Sequence, residues 1–391
     1  MKLQEYLDID KLAQYISEGI VSGRRHPTLP LTIYCYTRTA TYENIWDDVT
    51  ERTRGLIVDD EFNIVARSYE KFFNLNHEGR PETSWDALPQ EYPIVLDKLD
   101  GSLGILWQFD EPCVANPAGV PITGIATKGS FVSEQAIWAT SWYHKTCINP
   151  QWPEGFTPVF EIIAQTVQTH VVLYDIPDQL ILLGLINKET GEEADYNTVY
   201  HYAYLNGLNT VEVYNQSIEQ AVRADRSNKE GYVLSWPRPG QTPLKVKVKH
   251  ETFLKLQKIV HAATPKRILE ALFNKDYELL QSWEDGLSHE LAEYVRGWKD
   301  KFTNSYGHIL VESKNILNAA TRWADNQGAP ESRKIIAEYI LKSIRSRFSG
   351  VVFAMLDGQT ELGKNLENVS RAAWKLVTED FKDELGKVRE E

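Results

Sequence analysis

The feature that most constrains this chain is a change of hydrophobic period near Lys249. Before it, apolar residues alternate in short runs bounded by turn residues, the period-two pattern of half-buried strands. Gly55–Asp59 and Asn63–Arg67 flank Asp60-Glu61-Phe62 and read as a hairpin. Ile94–Asp97 and Leu103–Phe109 read as two strands around a glycine-containing turn. Ile122–Thr127, Pro158–Ile163, Leu180–Leu185, Tyr232–Trp236 and Leu244–Val248 read as further strands, with helical patches at Ser133–Tyr143 and Asn215–Ala224. After Lys249, Leu287, Leu291, Tyr294, Val295, Trp298 and Phe302 fall on one helical face, and Ile335, Ile336, Tyr339 and Ile340 repeat the pattern. The expected fold class is α+β. An antiparallel-sheet domain covers residues 1–250, and an all-helical domain covers 251–391. A length of 391 residues agrees with two cores rather than one. The charged tail Thr378–Glu391 is expected to fray.

Composition removes several classes. No run of eighteen apolar residues exists, and the N-terminal MKLQEYLDID has no signal-peptide core. Three scattered cysteines, Cys35, Cys113 and Cys147, suit neither a disulfide framework nor a zinc site, so a reducing, cytoplasmic location is expected. A net charge of −13 argues against a non-specific nucleic-acid coat. It leaves room for an enzyme whose cations are gathered in one cleft. No G-x-x-x-x-G-K-[ST] loop and no H-E-x-x-H motif occurs, so neither a P-loop ATPase nor a zinc hydrolase is supported.

The sharpest chemical signal is Lys98-Leu99-Asp100-Gly101-Ser102, set between two predicted strands. A lysine attacks phosphorus only as the free amine, and nearby cations with partial burial are expected to lower its pKa. Gly101 is expected to let a nucleotide approach the backbone. The competing reading is a surface hairpin turn. Strand alternation also puts Lys245, Lys247 and Lys249 on one face, opposite Val246 and Val248. Those lysines form either a phosphate-binding row or the guarded edge of a sheet.

Other segments follow in a fixed order: Arg54-Gly55, Glu70-Lys71-Phe72-Phe73-Asn74, the Lys98 motif, Lys128-Gly129-Ser130, Phe160-Glu161-Ile162-Ile163, Glu230-Gly231-Tyr232-Val233 and the Lys245–Lys249 strand. The series resembles the covalent nucleotidyltransferase superfamily of ligases and capping enzymes. Within it, the chain most resembles the phage-type RNA ligase 1 family, the tRNA-repair ligases of tailed bacteriophages. The resemblance runs through nearly the whole chain, including the surroundings of Phe348-Ser349-Gly350-Val351-Val352.

The resemblance implies an ATP-dependent RNA ligase in which Lys98 carries AMP before passing it to an RNA 5′-phosphate, which a 3′-hydroxyl then attacks. ATP and Mg2+ are the implied small partners. RNA with 5′-phosphate and 3′-hydroxyl ends, such as a cleaved tRNA, is the implied substrate of a monomeric enzyme in a phage-infected cell. Lys247 and Lys249 are assigned to the α-phosphate because the spacing to Phe253 fits the family, although Lys245 leaves the register open. The resemblance gives Arg54 and Lys71 to the pyrophosphate, with Lys128 and Tyr36 near the phosphates; a buried strand tyrosine explains Tyr36 as well. Glu161 is matched to the ribose or hydrated metal and Glu230 to the metal, each with a structural salt bridge as its alternative. Asp100 would contribute at the metal through water, or act by orienting Lys98. Val233 would form one wall of the adenine slot and Leu182-Leu183-Gly184-Leu185 another.

Two other functions remain in view. A DNA ligase or capping enzyme would share the lysine chemistry but continue into a small β-barrel, not helices. A catalytically dead RNA-binding protein would be expected to lack the nucleophile or a phosphate lysine, and none is missing. The helical region carries Arg333, Lys334, Lys342, Arg345 and Arg347, either an RNA-positioning stretch or a solvated surface.

Overall fold

The computed structural model describes residues 1–167, 171–286, 289–330, 332–342, 346–358 and 365–386. The chain divides into two compact units, Met1–Leu254 and Lys255–Glu391.

In the first unit β1 (Val21–Arg25), β2 (Leu31–Tyr36), β3 (Arg54–Asp59) and β4 (Ile64–Ala66) form one antiparallel sheet in sequence order. The expected hairpin about Asp60–Phe62 is its last turn. The remaining strands are β5 (Phe73–Asn74), β6 (Ile94–Lys98), β7 (Ser102–Phe109), β8 (Ile122–Thr127), β9 (Phe156–Ile163), β10 (Gln179–Asn187), β11 (Asn209–Thr210), β12 (Val213–Tyr214), β13 (Gly231–Arg238) and β14 (Gln241–Lys249). They make two five-stranded sheets, ordered β11-β10-β9-β7-β8 and β12-β6-β13-β14-β5. β6 and β7 therefore do not pair. The Lys98 turn carries the chain from one sheet to the other.

Alternation then sorts the side chains. Val95, Tyr232, Leu234, Trp236, Val246 and Val248 share one buried cluster on one face of the β6-β13-β14 sheet. On β9 and β10, Phe160, Ile162, Leu180, Leu182 and Leu185 pack with Ala139, Tyr143, Val199 and Ala203 of helices Glu134–Thr146 and Tyr196–Leu205. The other faces of the two sheets meet through Leu96, Leu99, Ile163, Ile181 and Leu183. Residues of opposite parity on β6, β9, β13 and β14 are thereby directed into the space between the sheets.

Every described element of the second unit is helical. Val295, Phe302, Ile309 and Ile316 recur every seventh residue along His289–Asn326 and are buried, as are Ile336 and Ile340. Tyr294 and Trp298 pack against that core, whereas Leu287 lies outside the described residues. Phe348, Val351 and Val352 are also buried there, so that segment serves the core. Within the basic stretch Arg333 pairs with Asp357, and Arg347 pairs with Asp380 at 2.6 Å. The stretch is less positive than its sequence suggests, and Arg345 lies outside the described residues.

Candidate active site

The register of three strands builds the site. Lys98 of β6, Gly231 of β13 and Lys249 of β14 stand in one row; Leu96, Val233 and Lys247 stand in the next; Ile94, Ser235 and Lys245 in the third. Gly231 separates the two lysines of the first row. Its φ is +152°, and a Cβ there would lie 2.0 Å from the Val248 carbonyl oxygen, so no other residue fits without moving β14.

Glu230 precedes that glycine and is 4% exposed. One carboxylate oxygen accepts from Lys98 Nζ at 2.7 Å, and the other lies 3.0 Å from Lys249 Nζ. Burial would raise its pKa, but the two ammonium groups outweigh burial and hold it below the ordinary carboxylate value. Lys98 shows the converse. Burial acts to lower its pKa, but Glu230, Glu161 and Asp100 together raise it. The expectation that cations would lower the Lys98 pKa is thus corrected. Its nearest charges are carboxylates, and without nucleotide the side chain is held as an ammonium.

Glu161 reaches the same space from β9, and its carboxyl is raised to about 7, chiefly by burial. Among the described residues it has no ion-pair partner. A buried carboxylate in that condition fits a divalent cation or the waters around one. Glu230 fits less well, because both its oxygens are engaged by ammonium groups. Among the described residues no set of three His, Cys, Asp or Glu side chains is gathered to cage a metal.

Most of the remaining cations crowd together. Lys71 Nζ lies 5.5 Å from the Tyr36 ring centroid and 4.8 Å from that of Trp46, while Lys128 Nζ lies 5.2 Å from the Tyr36 ring. Burial would raise the Tyr36 pKa, yet Arg54, Lys128 and Lys71 bring it below the ordinary tyrosine value. Lys71 is itself lowered by burial and by Arg54 and Lys128. Lys247 is lowered furthest, by burial and then by Lys71, Arg54, Lys98 and Lys249. Like charges held together in this way favour an anion of several charges beside them.

Lys245 is different. It is buried, pairs with Glu193 at 2.5 Å and lies 3.9 Å over the Tyr69 ring. One Asp100 carboxylate oxygen accepts from the backbone N–H groups of Val171 and Val172 at 2.7 and 2.9 Å, and the carboxylate also acts on Lys98 electrostatically. A Cβ on Gly101 would lie 2.7 Å from both Glu161 Cγ and the Ile162 carbonyl oxygen. Gly101 thus permits a close approach of β9. Val233 stands between Leu96 and Lys247. Of the Leu182–Leu185 segment only Leu183 turns inward; Leu182 and Leu185 are buried under the helices, and Gly184 packs on Tyr69.

The sequence reading missed Phe72, whose ring lies 4.5 Å from Lys247 Nζ and 5.8 Å from the Arg54 guanidinium. It also missed Trp46, whose ring stands edge-on to both Tyr36 and Phe73. The Phe72-Phe73 pair beside Lys71 was an available signal for the first; nothing local marked Trp46.

Lys98, Lys247, Lys249, Glu161 and Glu230 thus gather on one face of the β-sheet unit. The family profile for RNA ligase matches residues 52–254, just over half of the chain. The chain belongs to the phage-type RNA ligase family. No curated protein matches it by sequence. Among solved structures, an archaeal ATP-dependent RNA ligase is 13% identical, with 76% of this chain and 77% of that one covered and a TM-score of 0.46. A putative ATP-dependent DNA ligase from Aquifex aeolicus is 12% identical, covering 96% and 81%, with a TM-score of 0.42. A Naegleria gruberi RNA ligase with PPi is 14% identical over 43% of this chain, with a TM-score of 0.31. The match spans 52% of that ligase's length.

Proposed function

We propose that this chain is an ATP-dependent RNA ligase that carries AMP on Lys98. The observation that carries the reading is the row Lys98–Gly231–Lys249 with Lys247 beside it. It sets a lysine against two others on a face that also meets Glu161.

Lys98 Nζ, as the free amine, attacks the α-phosphorus of ATP. A phosphorus–nitrogen bond forms, the bond to the bridging β-phosphate oxygen breaks, and pyrophosphate leaves. An oxygen of an RNA 5′-phosphate then displaces Lys98 from the adenylyl phosphorus. Finally an RNA 3′-hydroxyl attacks that 5′-phosphate, forming the phosphodiester and releasing AMP. Lys247 and Lys249 hold the α-phosphate oxygens, Arg54, Lys71 and Lys128 receive the leaving pyrophosphate, and Tyr36 orders them. A magnesium ion held through Glu161 and water would offset phosphate charge and loosen the carboxylates' hold on the Lys98 proton. Val233 and Leu96 offer the base an apolar wall.

The RNA is taken to be a broken strand with a 5′-phosphate and a 3′-hydroxyl, a cleaved tRNA being the substrate that family membership favours. The helical unit is assigned to choosing it, since every candidate phosphate contact precedes residue 250. The test is incubation with labelled ATP and magnesium, then denaturing electrophoresis and peptide mapping. An acid-labile AMP adduct on Lys98 is expected. Lys98→Ala should abolish it yet still join RNA supplied with a pre-adenylylated end. Label on another residue, or none, overturns the reading.

A further inference from the structure

Behind the site, on the opposite face of β6 from Lys98, lies a second charged group that the phosphate chemistry does not use. Asp97 is buried, its side chain 2% exposed. Arg226 donates to one of its oxygens at 2.7 Å, and Lys229 Nζ approaches the other at 2.8 Å. A carboxylate so buried is costly unless paired, so these contacts offset its burial.

Arg226 does more than neutralise. It donates to the Tyr214 hydroxyl at 2.8 Å, to His250 Nε2 at 3.3 Å and to the Gly231 carbonyl oxygen at 3.3 Å. Its guanidinium also lies 4.2 Å over the Tyr232 ring and 4.8 Å over the Tyr214 ring. One side chain thus touches β12, the start of β13 and the residue that follows Lys249, and its partner Asp97 is the residue that precedes Lys98.

The segment between helix Ile218–Arg223 and β13 belongs to no helix or strand, so side chains hold it. Asn228 joins it to Leu173, donating to that carbonyl and accepting from that N–H at 2.9 Å. Asp225 accepts from Thr252 Oγ1 at 2.7 Å. Glu230, the last residue of the segment, reaches both Lys98 and Lys249.

We propose that Arg226, locked by Asp97, is a positioning residue for adenylation: from the back of the sheet it sets the spacing of Lys98, Glu230 and Lys249. Lys229 is the second cation paired with the buried Asp97 carboxylate. The proposal rests on Lys98 being the nucleophile. A reacting group displaced by about 1 Å can lose roughly 10²-fold in rate, which is the scale expected here.

The experiment is single-turnover adenylation of the full chain, with the ATP concentration varied and folding checked by thermal melts. Arg226→Ala should slow the saturated rate by about 10²-fold, with half-saturating ATP changed less than about threefold. Arg226→Lys, which can keep the Asp97 pair, should recover part of that rate. Asp97→Asn should reproduce the loss and stands in if Arg226→Ala does not fold. Folded variants that adenylate at the wild-type rate overturn the proposal, as does a loss confined to ATP half-saturation. Absence of the adduct from the wild-type protein would instead overturn the assignment of Lys98, so the two failures are distinguishable.

Discussion

Replacing Glu161 by glutamine should stabilise the nucleotide-free protein, and more so as pH rises. The carboxyl is raised from an ordinary 4.5 to about 7, chiefly by burial against weaker help from Lys98. Between those values the folded protein holds a proton that the unfolded chain has lost. Stability therefore falls as pH climbs through that window and stays reduced above it. The difference is about 2.5 pKa units, which at 1.36 kcal/mol each amounts to about 3 kcal/mol. Glutamine cannot ionise, so the variant escapes the loss. For a unit of this size, that stabilisation shifts the melting temperature by roughly 6–12 °C. Differential scanning at about pH 5 and about pH 8, without nucleotide or divalent cation, should show a much larger advantage of the variant at the higher pH. An equal advantage at both would refute the reasoning, because a mere packing effect does not titrate.

The three lysines of β14 should separate by function. Lys247→Ala and Lys249→Ala should each cut adenylation by roughly 10²–10³-fold. Lys245→Ala should chiefly destabilise, by roughly 3 kcal/mol, because it strands the partly buried Glu193 carboxylate; a denaturation curve against an adenylation assay tests the split. Gly231→Ala should fail to hold the β13–β14 register and lose the adduct even where protein remains soluble, read by amide exchange across Val246–Lys249. A chain ended after Ala263 should still adenylate Lys98 and join simple strands but lose its preference for structured RNA; loss of adenylation itself in a soluble product would place the helices in the catalytic unit.

Much of the first unit was legible because strands announce themselves by parity. Val246 and Val248 turned to the core and the lysines between them to the other face, as alternation requires. The hairpin at Asp60–Phe62 and the strands on either side of Lys98 were equally plain. Short helices such as Tyr196–Leu205 were not, since Tyr200 and Tyr204 are exposed and blur the amphipathic pattern. In the second unit, Val295 and Phe302 fell on the buried stripe that a helical period requires.

By itself the sequence determined the change of period, the order of the motifs, the side of each strand a lysine occupies and the family. The period and the side of each strand depend on neighbours one to seven residues away, and the motif order is read directly along the chain. Only the tertiary structure decided which lysine is spent on a structural pair, since Glu193 stands 52 residues from Lys245. It also decided that Lys98 is held charged by Glu230, 132 residues on, and that the Lys98 turn joins two sheets. The physical reason is that a charge takes its state from whatever folding brings within a few ångströms, and that distance is not written in the local sequence.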